Sequence, residues 1–78
     1  MRADVLSLLA EICQDDLVKD NMEVDMFEAG LMDSIGFIDL LAGLESRFGI
    51  SVAPTEVDRA ELSTPGLVLE FVTRRKST

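Results

Sequence analysis

Ser34, in the run Asp33-Ser34-Ile35-Gly36, is the residue of this chain best placed to take part in chemistry. It stands where a long polar stretch ends and an amphipathic pattern begins. As a catalytic nucleophile it is poorly served, because the chain has no histidine to take its proton. Asp33 makes a doubtful dyad partner, since sequence neighbours on a helix point apart. As a target for covalent modification the same hydroxyl is well positioned. A phosphate ester beside a helix N-terminus meets free backbone N–H groups and the positive end of the helix dipole. Serine at a helix start is also a common cap, but here Asp33 can do the capping and leave the Ser34 hydroxyl free.

Other groups that could do chemistry are few. Asp15, Asp16, Asp20, Glu23 and Asp25 are acidic enough to suggest calcium. They lack the alternating ligands, the sixth-position glycine and the closing glutamate of an EF-hand loop. Cys13 is the sole cysteine, which excludes an internal disulfide and a cysteine zinc cluster. It falls on the apolar face of the first predicted helix, where a buried thiol is expected. An activated nucleophile, a base and a metal site are therefore all missing, and the chain reads as not an enzyme.

The charges point to protein partners. Seven basic and 15 acidic residues give a net charge of −8. Such a field repels nucleic acid and anionic lipid and attracts basic protein surfaces. Asp39 and Glu45 lie on the predicted second helix, Glu56, Asp58 and Glu61 on the third, and Asp33 beside Ser34. If these helices face one way, Ser34 stands in an acidic patch that sets encounter rate and partner choice. Taken singly, each acid reads equally well as a solvated helix face.

The elements that must position Ser34 follow from periodicity. Val5, Leu8, Leu9, Ile12 and Cys13 recur at spacings of three and four, which predicts a helix over 2–15 stopped by Asp15-Asp16. Residues 16–33 show no sustained period, a length of loop that usually carries function. Leu17, Val24, Met26, Phe27 and Leu31 should pin it across the bundle, with one helical turn over 25–30 stopped by Gly30. The second helix starts at Asp33/Ser34 with Phe37, Leu41, Leu44 and Phe48 as its apolar stripe, broadened by Ile38 and Leu40, and ends at Gly49. Residues 50–54 form an extended linker before Pro54. Thr55 is expected to cap a short third helix, Glu56 to Glu61. Thr64 and Pro65 signal a fourth, with Leu67, Val68, Phe71 and Val72 inward and Arg74-Arg75-Lys76 on its negative end. The fold class is all-α: a small four-helix bundle with three main helices, a short third helix and a long loop between the first two.

Length places this as one domain over residues 1–78. A chain so short buries roughly 60–65% of the surface its unfolded form exposes, leaving little to wall a deep pocket. The N-terminus has an acid at Asp4 and no apolar run long enough for a signal peptide, and no segment approaches a membrane span. A cytoplasmic protein without direct membrane insertion is the expectation.

The run Gly30-Leu31-Met32-Asp33-Ser34-Ile35 resembles the attachment motif of the phosphopantetheine-binding acyl carrier proteins, at the start of the second of four helices. The likeness covers nearly the whole chain. A narrower likeness, to the D-alanyl carrier proteins of teichoic acid modification, lies in three stretches. They are Phe27 to Gly36, Leu44-Glu45-Ser46-Arg47-Phe48-Gly49-Ile50, and Val57-Asp58-Arg59-Ala60-Glu61-Leu62-Ser63-Thr64-Pro65. In that subfamily phenylalanine usually stands at the place of Val57, tryptophan at Leu62 and asparagine at Gly66.

The resemblance implies a mechanism. Ser34 would accept 4′-phosphopantetheine from coenzyme A through a separate phosphopantetheinyl transferase, with Asp33 engaging that enzyme and its metal. An adenylating ligase would load the arm's thiol with an aminoacyl or acyl group as a thioester, D-alanine in the narrower likeness. An acceptor acyltransferase, membrane-bound in some settings, would take the cargo for cell wall biogenesis. Met32, Ile35 and Phe37 are candidates for apolar partner contact. Phe37 and Ile35 read equally well as core, and Met32, in the loop, should be the most exposed. Asp39, Glu45, Glu56 and Asp58 would supply the charged contacts, and a shuttle offering one face to several enzymes should be a monomer. Two other readings stay open: a carrier for polyketide, peptide or fatty acid assembly, and an unmodified acidic helical adaptor.

Overall fold

The computed structural model of the chain describes Arg2 to Lys76, which form helices and turns with no strand among them. Helix α1 (Arg2–Cys13) buries Val5, Leu8, Leu9 and Cys13 as expected, together with Leu6. Its end is made by backbone geometry more than by acid repulsion. Gln14 adopts a left-handed conformation at φ 55°, and the Asp15 N–H then reaches back to the Ala10 carbonyl at 3.3 Å. Asp15 meanwhile turns forward, its Oδ1 accepting from the Leu17 N–H at 2.9 Å.

That contact opens a one-turn helix, α2 (Leu17–Asp20), which was not foreseen within the long connection. It also corrects which residue pins the segment. Neighbours on a helix diverge by about 100°, and here Val18 is fully buried while Leu17 is 45% exposed. Further on, the predicted turn is present. Asp25 Oδ1 accepts from the N–H groups of Phe27 and Glu28, Ala29 N–H bonds the Asp25 carbonyl, and Gly30 stops the turn at φ 75°. The segment is stitched to a distant part of the chain by two backbone bonds, Met26 N–H to the Ser63 carbonyl and Gly66 N–H to the Met22 carbonyl.

Helix α3 (Ser34–Phe48) has the predicted limits, from the Asp33 cap to Gly49 at φ 70°. Phe37, Leu40, Leu41 and Leu44 are buried and Phe48 packs against the core. Ile38, assigned to that stripe, is instead 48% exposed. The residues after Gly49 are extended, with Ile50 and Val52 buried.

The third helix expected over Glu56–Glu61 is not formed. A turn at 54–56 is followed by extended Asp58 and a 3₁₀ segment, Arg59–Leu62. Thr55 caps nothing here; the turn is closed by Glu56 N–H on the Ala53 carbonyl, and Glu56 Oε1 accepts from the Ala53 N–H. The reason lies in Val57 and Leu62, both buried. On one α-helix, residues five apart point about 140° from each other, so both could not face the core. An extended residue followed by a 3₁₀ turn lets each point inward.

Helix α4 (Pro65–Lys76) starts as predicted, with Thr64 Oγ1 accepting from the Leu67 N–H at 3.1 Å and Pro65 in the first helical position. Val68 and Val72 are fully buried, Leu67 and Phe71 partly so, and Arg74, Arg75 and Lys76 occupy the last turn. Helix α1 packs against both α3 and α4. Arg47 of α3 also grips Glu11 of α1 with two bonds of 2.7 and 3.1 Å, and this hydrogen bonding holds the Glu11 carboxyl below its ordinary range. Being exposed, the pair adds little stability. No helix among the described residues is long and apolar enough to cross a membrane.

Cys13 is buried with its Sγ 3.9 Å from Met26 Sδ, and desolvation, reinforced by Asp15, pushes its thiol above the usual range. It should therefore be nearly inert to a thiol reagent such as iodoacetamide in the native protein and label fully in denaturant. Rapid native labelling would mean that this end of α1 opens readily.

Candidate functional site

The Asp33-Ser34-Ile35-Gly36 run divides its tasks residue by residue. Asp33 is extended, at φ −119° and ψ −169°, and its Oδ1 accepts from the Gly36 N–H at 2.8 Å. Its carboxylate is thereby committed to capping and is turned away from any role as a base for its neighbour. Ser34 is the first residue of α3 and is exposed. Ile35 projects into solvent, 73% exposed. Gly36 is buried because the helix start lies so close to its surroundings: a Cβ there would meet Met32 Cγ at 3.0 Å and Ile12 Cγ2 at 3.2 Å. The motif is thus a cap, an offered hydroxyl, an apolar exposed side chain and a close approach to α1.

The three apolar contact candidates separate. Met32, expected to be exposed, is buried at 5%. Its N–H is tied to the Met26 carbonyl at 2.9 Å and its side chain is pressed towards Gly36, so the loop is folded inward at this point. Phe37 is also core, packed edge-on to Phe27 with ring centroids 6.0 Å apart. Ile35 alone of the three is available to a partner. It shares the outward face of α3 with exposed Ile38, Asp39, Ala42, Glu45 and Ser46. Asp39 and Glu45 stand about 7 and 16 Å along the helix from Ser34, so the acids extend down α3 and do not ring the serine. Glu56 and Asp58 are exposed as well, but in the turn and the extended residue before the 3₁₀ segment, not on a helix. The acids of the first connection serve locally: Asp15 and Asp25 accept from turn N–H groups, and no group of three metal-ligating side chains gathers among the described residues.

Arg59, which sequence reasoning passed over, completes the site. It opens the 3₁₀ segment, and its guanidinium donates to Ser34 Oγ. The guanidinium carbon sits 5.3 Å from the centre of the Phe27 ring. A signal was present, since Arg59 is the one base between Thr55 and Leu62 in an otherwise acidic run. The contact it makes is 25 residues away in the chain, and nothing local announces it.

Beside the hydroxyl stand a carboxylate bonded to the Gly36 N–H and the Arg59 guanidinium. The arrangement suits a phosphate ester standing outward from Ser34, where the α3 N-terminus and the Arg59 cation both favour negative charge.

Residues 3–72 match the family described as "Phosphopantetheine attachment site", and the chain belongs to that family, whose members are carriers and not enzymes. Proteins named D-alanyl carrier protein are among its relatives. That of Bacillus velezensis is 47% identical over 75 residues, covering 96% of each chain. That of Bacillus licheniformis is 49% identical over 67 residues, 86% of each, and that of Abiotrophia defectiva 41% identical over 75 residues, 96% of this chain and 95% of its own.

Proposed function

We propose that this chain carries D-alanine as a thioester on a 4′-phosphopantetheine arm attached to Ser34, for transfer to teichoic acid. The observation that carries the reading is the exposed Ser34 hydroxyl at the first residue of α3, left free of capping by Asp33. In the modification, Ser34 Oγ forms a new bond to the phosphorus that bears pantetheine, and the pyrophosphate bond of coenzyme A breaks. An adenosine bisphosphate leaves, and the hydroxyl proton passes to the transferase. The arm's thiol supplies the reactive group; the chain supplies the anchor, the surface and a high local concentration of cargo at each partner.

Partner enzymes of the carrier family divide here into a phosphopantetheinyl transferase, an adenylating ligase and an acceptor acyltransferase. Ile35 and Ile38, flanked by Asp39 and Glu45, form the face they share, an apolar contact bordered by charges that steer basic partners. A monomer working in the cytoplasm, where coenzyme A and ATP are at hand, fits this traffic. The specific cargo draws support from the D-alanyl carrier relatives. The departures at Val57 and Leu62 concern buried positions and so bear on core volume, not on a surface that meets cargo.

The test is intact mass after incubation with coenzyme A, magnesium and a broad-specificity transferase, followed by loading with a D-alanine-activating ligase. One phosphopantetheine per chain and then one D-alanyl group are expected. An arm that forms but accepts only another acyl or aminoacyl group would make this a carrier for a different pathway. No arm at all, on folded protein, would favour an acidic adaptor.

A further inference from the structure

We propose that Arg59, held against Phe27, is the clamp for the phosphodiester at the root of the arm, so that attachment ties the 3₁₀ segment to the start of α3. The inference rests on the attachment reading given above and adds a positioning residue to it.

Arg59 donates to Ser34 Oγ, the atom that becomes the bridging ester oxygen on modification. A donor group within reach of that oxygen is within reach of the phosphate oxygens one bond further out. Guanidinium is the side chain best matched to them, since its planar fork meets two oxygens at once. Apart from the α3 N-terminus, the charges around it disfavour an added anion: the chain is at −8, and Asp33, Asp58 and Glu61 are the nearest acids in sequence to the two residues concerned. Arg59 itself forms no salt bridge with a carboxylate among the described residues, whereas Arg47 and Lys19 are paired with Glu11 and Asp16. Its charge is therefore not already matched by a fixed anion.

The guanidinium is also held in place. It lies over the Phe27 ring, and Phe27 is braced edge-on by Phe37 from the core side of α3. Cation–π contact keeps the fork oriented without consuming its N–H donors. Phe27 comes from the first connection, Arg59 from the 3₁₀ segment and Ser34 from α3, so one phosphodiester would draw together three separate parts of the chain.

The experiment compares thermal melting of the apo and phosphopantetheinylated forms of the parent, Arg59→Gln and Arg59→Lys, with mass spectra establishing complete modification. The parent should gain about 2–6 °C on modification, the shift that a modest ion pair gives in a domain of this size. Arg59→Gln should lose that gain, and Arg59→Lys should keep part of it. A role in folding alone would move both forms of the variant equally and leave the gain unchanged, which would overturn the clamp. Phosphorus NMR gives a second reading: a broad phosphodiester resonance in the parent, tumbling with the protein, and a sharp one in Arg59→Gln. Equal widths would also overturn it. If the glutamine variant resists modification, the parent decides alone. Its gain must shrink as salt rises from 0.01 to 1 M, roughly the range over which screening of exposed charges becomes complete, and a salt-independent gain would overturn the proposal. Failure of the parent to take up an arm would instead remove the attachment reading beneath it.

Discussion

Ser34→Ala should take up no phosphopantetheine under conditions that modify the parent completely, and should carry no cargo. The loss is expected to be total because a hydroxyl either exists to form the ester or does not. Among the described residues no other serine or threonine is the first residue of a helix. Thr64 Oγ1 caps α4, while Ser46 and Ser63 donate to the carbonyls of Gly43 and Ala60. The variant should nevertheless fold. Ser34 is exposed, the cap of α3 is Asp33, and alanine is the residue best suited to a helix interior, so stability should stay within about 0.5 kcal/mol of the parent. Loss of the Arg59 contact lies inside that margin, because the contact is at the surface. Intact mass gives the first readout and thermal melting by circular dichroism the second. A mass gain on the alanine variant would sink the assignment, and fragment masses would then locate the residue that took the arm.

The largest effect on stability should come from a residue within the long first connection. Met26→Ala is expected to cost about 2–5 kcal/mol, the usual penalty for truncating a large buried side chain. For a chain of this length total stability is about 4–12 kcal/mol, so the variant would be marginal. Its Tm should fall by about 10 °C or more. Met26 is fully buried, its sulfur meets the Cys13 thiol, its N–H bonds the Ser63 carbonyl, and its carbonyl accepts from both Leu31 and Met32. Leu17→Ala supplies the comparison, in the same connection but at a side chain 45% exposed. That variant should lie within about 0.5 kcal/mol of the parent. Urea unfolding of the two would decide the matter. If both behave like the parent, the connection is not part of the cooperative core, and the backbone bonds to Ser63 and Gly66 contribute little.

Much of this protein was determined by neighbours in the sequence. The start of α3 follows from Asp33 bonding a backbone N–H three residues on, its end from left-handed Gly49, and the start of α4 from Thr64 and Pro65. These devices act over one helical turn, so the residues that create them also disclose them, and with them the exposed Ser34 hydroxyl. The tertiary structure decided what a turn cannot. Whether Leu17 or Val18 faces inward, whether Met32 stands out or folds under, and whether Phe37 serves a partner or the core all depend on what packs across from them. The 3₁₀ segment replaced a predicted helix because Val57 and Leu62 had to be buried together, a demand set by the core and invisible to Thr55. Arg59 met Ser34 for the same reason, since burying Leu62 carries the guanidinium to a hydroxyl 25 residues away. Capping is a short-range hydrogen bond and can be read along the chain; burial is a property of the assembled surface and exists only once the chain has folded.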